Sequence, residues 1–191
     1  MNKVLIIVDM LNDFIKKDGA LYCGKDATEI IETIKVKLDL ARQNGDLVVF
    51  LCDAHKPDDK EFDRFPKHAV MNTHGAQIID ELAPIRRKFE YVSKRTRYGC
   101  IKRESEYVIK KTRYSGFYNT NLSTMLKSRG ITHAEITGVC TNICVMDTVG
   151  DLANRDIATL IDKAAVADFD KVAADAALLR MQRIYGTVVI P

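Results

Sequence analysis

The stretch TGVCTNICV, residues 137–145, sets Cys140 and Cys144 four apart behind an apolar run and a glycine. A cysteine there can be a nucleophile, half of a metal or redox pair, or a small core residue. Two distant residues bear on the choice: Asp9 closes the apolar run KVLIIVD, and Lys111 closes EYVIKK. Singly, these are a turn carboxylate, a solvated ammonium and a buried thiol. Together they are complementary, because a cysteine of ordinary pKa ~8.5 needs a base and a positive neighbour to be largely thiolate at neutral pH. Cys144 also opens a predicted helix, whose amide dipoles favour thiolate over thiol. A C-x₃-C pair is a poor redox motif, and a redox or purely metal-binding reading leaves Asp9 and Lys111 without a purpose.

A second group is D-A-H at 53–55, a two-ligand start in which nitrogen and carboxylate donors suit zinc, iron(II) or manganese. Alone it also reads as an exposed polar loop. His74 is a candidate ligand, and His133, ahead of a predicted strand, reads as incidental.

Positioning these residues requires a particular order of elements. KVLIIVDM and DLVVFLCD are short apolar runs ending in charge, as in central strands buried on both faces. DATEIIETIKVKLDLARQNG has helical spacing, with Asp26 and Glu29 in capping-box positions and Gly45 as its stop. A short helix is expected near GAQIIDEL, then a strand in SEYVIKK, a helix in NTNLSTMLKSRG and a strand in ITHAEITGVC. A helix over NICVMDTVGDLANRD, a strand in IATLIDKA, a helix over DKVAADAALLRMQRIYG and a last strand in TVVIP follow. Strands alternating with helices imply an α/β fold: a Rossmann-like three-layer sandwich around an about six-stranded, mostly parallel sheet. Ligands of such sheets sit beyond the carboxyl ends of the strands, where Asp9, Asp53 with His55, Lys111, and Cys140 with Cys144 all fall. Residues 84–105 fit either an edge hairpin or an irregular excursion.

The bulk numbers narrow the classes. A chain of 191 residues fits one domain, and 47% hydrophobic with 29% charged residues describes a packed globular protein rather than a disordered one. The net charge of +3 is dispersed apart from IRRK (85–88), KRTR (94–97) and KKTR (110–113), so no nucleic-acid partner is expected. No apolar run approaches the roughly 20 residues of a membrane helix, and MNKVLIIVDML meets its first aspartate too early for a signal peptide. Five cysteines without a framework pattern fit a reducing compartment, with Cys23, Cys52 and Cys100 structural or incidental. A cytoplasmic homo-oligomer is the expectation. GALYCGKD (19–26) nearly fits a phosphate loop, but Asp26 stands where a hydroxyl is needed and the strand ends ten residues earlier. No G-x-G occurs.

IIVDMLNDF, DAH followed by FPKH, KTRYSGFYNTNL and GVCTNICV, in this order and spacing, resemble the isochorismatase-like cysteine hydrolases over essentially the whole chain, and within them most resemble the nicotinamidases (pyrazinamidases). The resemblance implies Cys144 as nucleophile, Asp9 and Lys111 as its partners, and a cis peptide at Val139–Cys140 that turns the Cys140 and Cys144 amides towards a common oxyanion. It further implies a divalent metal, zinc first, on Asp53, His55 and His68 with Glu61 as a fourth ligand, and Phe14 and Phe65 beside a small-molecule amide. KRTRYG (94–99) nearly copies KKTRYS (110–115), setting Arg95 against Lys111, but only the second copy continues into the family's Y-S-x-F-x-x-T-x-L. Arginine also cannot release a proton near neutral pH. The expected activity is hydrolysis of nicotinamide to nicotinate and ammonia through a thioester, or of another small amide, ureido or N-carbamoyl compound.

Overall fold

A computed structural model describes residues 2–84 and 105–191. Its centre is β1 (Lys3–Val8), flanked by β2 (Leu47–Asp53) and β4 (His133–Val139). The runs VLIIV and LVVFLCD are buried from end to end, as strands covered on both faces must be. With β3 (Glu106–Lys111), β5 (Ala158–Ala167) and β6 (Val188–Ile190) they form a six-stranded, all-parallel sheet in the order β3-β2-β1-β4-β5-β6.

Helices cover both faces. The short α1 (Asn12–Ile15) and the long α2 (Lys25–Asn44) lie on one, α2 burying Ala27, Ile30, Ile31, Ile34, Leu38 and Ala41 at helical spacing. On the other are α3 (Leu122–Ser128), α4 (Met146–Ala153) and α5 (Lys171–Tyr185), which bury Leu122, Met125, Leu126, Val149, Leu152, Leu178 and Met181. Asp170 caps α5 by accepting from the Ala173 amide at 3.0 Å. Among the described residues no helix is long and apolar enough to cross a membrane.

Three local expectations change. Asp26 does not cap α2: Gly24, at φ +88°, turns the chain so that the helix starts at Lys25, and Glu29 pairs with Lys25 at 2.8 Å. The helix expected near GAQIIDEL is only a 3₁₀ turn at Asp80–Leu82. Its preceding backbone is taken up by the 10–13 loop, Gly75, Gln77 and Ile79 bonding Asp13, Asn12 and Met10 at 3.0 Å each. The helix expected from Asn142 begins as a π turn, Thr141–Val145, before α4 proper. Most of the 84–105 excursion, with Cys100, two of the basic clusters and the Arg95 copy, lies outside the described residues.

Strand adjacency brings the sequence-distant polar residues together. β3, β2, β1 and β4 are neighbours, and Asp53 is in register with Lys111. β4 lies tightly against β1 at Gly138, where φ is +106° and an added Cβ would stand 2.0 Å from the Val8 carbonyl oxygen. A side chain there must push apart the two strands that end in Asp9 and Cys140. Gly138→Ala is therefore expected to cost at least about 2 kcal/mol, a fall in Tm of more than about 4 °C for a chain of this size. Thermal melting followed by circular dichroism measures it, and an unchanged Tm would show that the strands separate freely at this point.

Candidate active site

Lys111 is almost wholly buried, and its Nζ meets three groups: Asp53 Oδ1 at 2.6 Å, Asp9 Oδ2 at 2.7 Å and Cys144 Sγ at 3.4 Å. Asp9 follows β1 in the left-handed region, φ +51°, a conformation aspartate tolerates better than most residues. That turn lets Asp9 Oδ1 accept from the Asp53 amide at 2.8 Å while its own amide donates to Leu51 O at 2.8 Å. Cys144 is the fourth residue of the π turn and is buried, with Asp9, Asp53 and its sulfur mutually within 4.8 Å. The peptide between Val139 and Cys140 is cis, as the motif implied.

One ammonium between two buried carboxylates separates their titrations. Burial and the neighbouring Asp53 raise Asp9 to about 6 against the pull of Lys111. Burial would also raise Asp53, but Lys111 and His55 outweigh it and hold Asp53 at about 2. For Lys111 burial works downward, and the two carboxylates with Cys144 overcome it, keeping the amine protonated. The Cys144 thiol is pushed well up by burial, with Asp9 and Asp53 opposing the one favourable neighbour, Lys111. The expectation of a largely thiolate Cys144 is thus corrected. The sulfur sits inside a turn beside two carboxylates rather than at a free helix N-terminus, so it rests as a thiol with an acceptor at hand.

Asp53 also belongs to a second cluster. Ligand atoms of Asp53, His55, Glu61 and His68, all buried, lie within 4.8 Å of one another. His55 Nε2 is 3.6 Å from Asp53 Oδ2 and 3.9 Å from Glu61 Oε1; His68 Nε2 is 4.0 and 3.8 Å from the same atoms. Those separations are too long for hydrogen bonds and suit donors arranged around a shared ion. His68 Nδ1 meets Pro66 O at 2.7 Å, so it donates there and leaves the Nε2 lone pair facing the cluster. Both His55 nitrogens and Glu61 Oε2 are buried without a hydrogen-bond partner. Lys111 is shared by the buried Asp9 and Asp53, and the buried Glu61 has only Arg113, 4.0 Å from its Oε2 and already paired with Asp59, so the carboxylates outnumber the cations that face them. Charge, orphaned donors and donor type all fit a divalent cation. His74 is not in this cluster; its ring and carbonyl meet Asn12.

Both clusters open on one cavity, lined by Asp9, Asp53, Glu61, His68, Cys140 and Cys144 and otherwise by apolar or aromatic side chains. Phe14 and Phe65 are in that wall, their rings 5.3 and 6.2 Å from His68.

The isochorismatase-domain family model matches residues 3–190. The chain belongs to the isochorismatase family. Bacillus subtilis PncA, an isochorismatase-family protein, is 34% identical over 182 residues, covering 90% of this chain and 89% of its own. Its crystal structure, described as a nicotinamidase/pyrazinamidase, aligns over the whole of both chains with a TM-score of 0.87. N-carbamoylsarcosine amidase of Thermoplasma acidophilum is 30% identical, with a TM-score of 0.80 over 99% of this chain and 95% of its own. Pyrazinamidase of Pyrococcus horikoshii, solved in complex with zinc, is 25% identical, with a TM-score of 0.82 over 100% of this chain and 99% of its own. An isochorismatase-family hydrolase acting on amides is the class these likenesses share.

In this isochorismatase-family site, several supporting residues escaped the sequence reading. Asp13 Oδ2 accepts from the Ala69 amide at 2.7 Å, and Ala69 O accepts from the His55 amide at 3.0 Å, which ties the His68 turn to the His55 strand end. Asp59 takes Arg113 at 3.0 Å and lies 3.3 Å from His55 Nδ1. Phe62 packs edge-on against both histidines, at 5.5 and 5.7 Å. Only D-x-x-F at 59–62 was visible, and nothing in its spacing separates it from an ordinary 3₁₀ turn.

Lys111→Met keeps much of the stem and removes the charge, leaving two buried carboxylates without their cation. Breaking such a pair costs about 3–5 kcal/mol. The loss should shrink as pH falls. Asp9 already has a folded pKa near 6, above its unfolded 3.8, and the variant lifts it further. The folded state then binds the extra proton, so stability rises as pH drops through the folded pKa and levels off below the unfolded one. Urea unfolding in chelator at pH 7 and pH 5 checks this, and an equal loss at both would place the charge imbalance elsewhere.

Proposed function

We propose that the protein hydrolyses nicotinamide to nicotinate and ammonia, with Cys144 as nucleophile, Asp9 as proton carrier and Lys111 as the fixed charge that serves both. The observation that carries this is the position of Lys111 Nζ, in contact with Asp9, Asp53 and Cys144 Sγ at the edge of a four-donor cluster. Two carboxylates sharing one cation have their pKa values driven apart, which is how acid and base roles are assigned to like groups. Asp53, held at about 2, stays an anion. Asp9, at about 6, accepts a proton and releases it again near neutral pH.

The steps follow from those placements. Asp9 takes the Cys144 proton as the sulfur attacks the amide carbon, and Lys111 steadies the negative charge on the sulfur as it forms. The backbone amides of Cys140 and Cys144 receive the carbonyl oxygen as it becomes an oxyanion, worth roughly 3 kcal/mol per donor in comparable sites. Asp9 then returns its proton to the leaving nitrogen, ammonia departs and a thioester remains on Cys144. Water, deprotonated by Asp9, releases the acid and restores the thiol.

Asp53, His55, Glu61 and His68 would hold a divalent metal, with zinc favoured by the nitrogen and carboxylate donors. When bound, that ion supplies a Lewis-acidic site for a lone pair of the substrate. Phe14 and Phe65 offer apolar faces to a flat ring. No lysine or arginine among the described residues lines the cavity. Ureido and N-carbamoyl acids carry a carboxylate that such a wall would leave unpaired, which favours a neutral aromatic amide over them.

Ammonia release across nicotinamide, pyrazinamide, ureido acids and N-carbamoyl acids tests the substrate class; a preference for the acids would overturn the reading in favour of the carbamoyl-type relatives. Cys144→Ala should abolish turnover with the fold intact, whereas Cys140→Ala should be mild because only its backbone is used. Asp9→Asn should slow acylation by at least about 10²-fold, the usual worth of a positioned acid–base group. Stopped-flow acylation and circular dichroism distinguish these from misfolding, and equal losses in the two cysteine variants would remove the nucleophile assignment.

The metal's part is read by substrate pairing. Benzamide keeps the ring and amide of nicotinamide but lacks the ring nitrogen's lone pair. His68→Ala, or chelation, is expected to raise KM for nicotinamide far more than for benzamide. Should the metal-loaded enzyme hydrolyse both equally well, the cluster does not read the ring nitrogen.

A further inference from the structure

Cys23 and Cys140 are two cysteines whose side chains the proposed reaction does not use, yet their sulfurs stand 3.3 Å apart. Both are free and buried, and they join segments 117 residues apart in sequence. Cys23 lies in the turn between α1 and α2, where its amide donates to Phe14 O at 2.8 Å and its thiol points at Leu21 O at 3.5 Å. Cys140 follows β4, caps the turn that carries Cys144, and lines the same cavity as Leu21 and Phe14. The partner of the Cys140 sulfur is therefore Cys23, buried behind the Leu21 and Phe14 part of the wall, rather than Cys144 in its own loop.

We propose that Cys23 and Cys140 form a reversible disulfide on exposure to a hydroperoxide, and that this cross-link through the cavity wall suppresses amide hydrolysis. The sulfurs need to approach by only little more than about 1 Å to reach the bonded distance. Cys140 is the entry point, since it faces the cavity through which a small peroxide arrives. Its sulfur attacks hydrogen peroxide, the O–O bond breaks, and a sulfenic acid forms on Cys140 while the other oxygen leaves as water with the thiol proton. The Cys23 sulfur then attacks the Cys140 sulfur, and the displaced hydroxide takes the Cys23 proton and leaves as a second water. Two electrons pass from the sulfurs to the peroxide. Burial and the neighbouring Cys23 thiol raise the Cys140 pKa, which makes this pair slower to oxidise than an exposed thiol at low oxidant.

The functional consequence follows from where Cys140 sits. Its carbonyl accepts from the Ile143 and Val145 amides at 3.1 and 3.2 Å, so Cys140 anchors the turn that presents Cys144. Drawing its side chain towards Cys23 pulls that anchor and the wall at Leu21 and Phe14 together.

The test treats full-length wild type and Cys144→Ala with hydrogen peroxide, blocks remaining thiols, and digests with trypsin without reduction. A species joining residues 18–25 to residues 130–155, two hydrogens lighter than the separate peptides, is expected in both proteins and absent from Cys23→Ser. Its appearance in Cys144→Ala assigns the link to Cys140, the one cysteine left in that peptide. This readout does not depend on the substrate. In parallel, the wild type should lose most of its activity on its best amide and regain it with dithiothreitol, while Cys23→Ser retains more activity through the same treatment. Absence of the cross-link in Cys144→Ala, a link between Cys140 and Cys144, or equal inactivation of wild type and Cys23→Ser would overturn the proposal.

Discussion

A buried ammonium shared by two carboxylates is the constraint on which the rest of this site depends. Lys111 reaches Asp9 and Asp53 at 2.7 and 2.6 Å, where almost no water screens the charges. One positive charge cannot satisfy two negative ones in such a place, and burying an unbalanced charge costs several kcal/mol. The excess has two outlets: a proton on Asp9, which lacks further positive partners, or a cation beside Asp53, which has two histidines and Glu61 around it. The geometry suits both. The resulting asymmetry, Asp9 near 6 and Asp53 near 2, arises from what lies beyond each carboxylate rather than from unequal contact with Lys111.

The same imbalance explains why Cys144 rests as a thiol. A lysine 3.4 Å away would by itself favour the thiolate, but the two carboxylates already claim that lysine, and burial opposes a third anion. In the proposed reaction the sulfur therefore gains its charge only as Asp9 loses its own, and the number of charges in the pocket stays constant. A preformed thiolate would need a second cation near the sulfur, and none stands there among the described residues.

Much of this was legible in the sequence, for a physical reason. Strands buried on both faces are continuous apolar runs, and the first polar residue after each is where the chain leaves the core; Asp9 and Asp53 announce themselves as interruptions of VLIIV and VVFLC, whereas Lys111 and Cys140 are placed only by standing at the ends of the runs EYVIKK and ITGVC. The all-parallel sheet and helices on both faces follow from the same alternation. What stayed hidden was set by contacts across the chain. The 75–82 segment has helix-compatible spacing, but its backbone bonds the 10–13 loop instead. Gly24, not Asp26, starts α2, because a positive φ is decided by the preceding turn. Asp13 supports the His68 turn across 56 residues, Asp59 and Phe62 lie near His55 in sequence but without a distinctive spacing, and the pairing of Cys23 with Cys140 has no local signature.

Asp53 occupies the most consequential position, because its two oxygens face different clusters: Oδ1 meets Lys111 and Oδ2 the histidines. Charge added on the histidine side draws electron density from Oδ1, weakens its hold on Lys111 and leaves the ammonium freer for Asp9 and the sulfur. In the proposed function, ligand occupancy and proton transfer would thus share one carboxylate, with no intervening side chain needed to couple them. The cost is that Asp53 cannot be altered for one role alone. Replacing it by asparagine would remove an anion from both clusters at once. Such sharing is economical in a buried pocket, where separate carboxylates for the histidines and the lysine would bring a further buried negative charge.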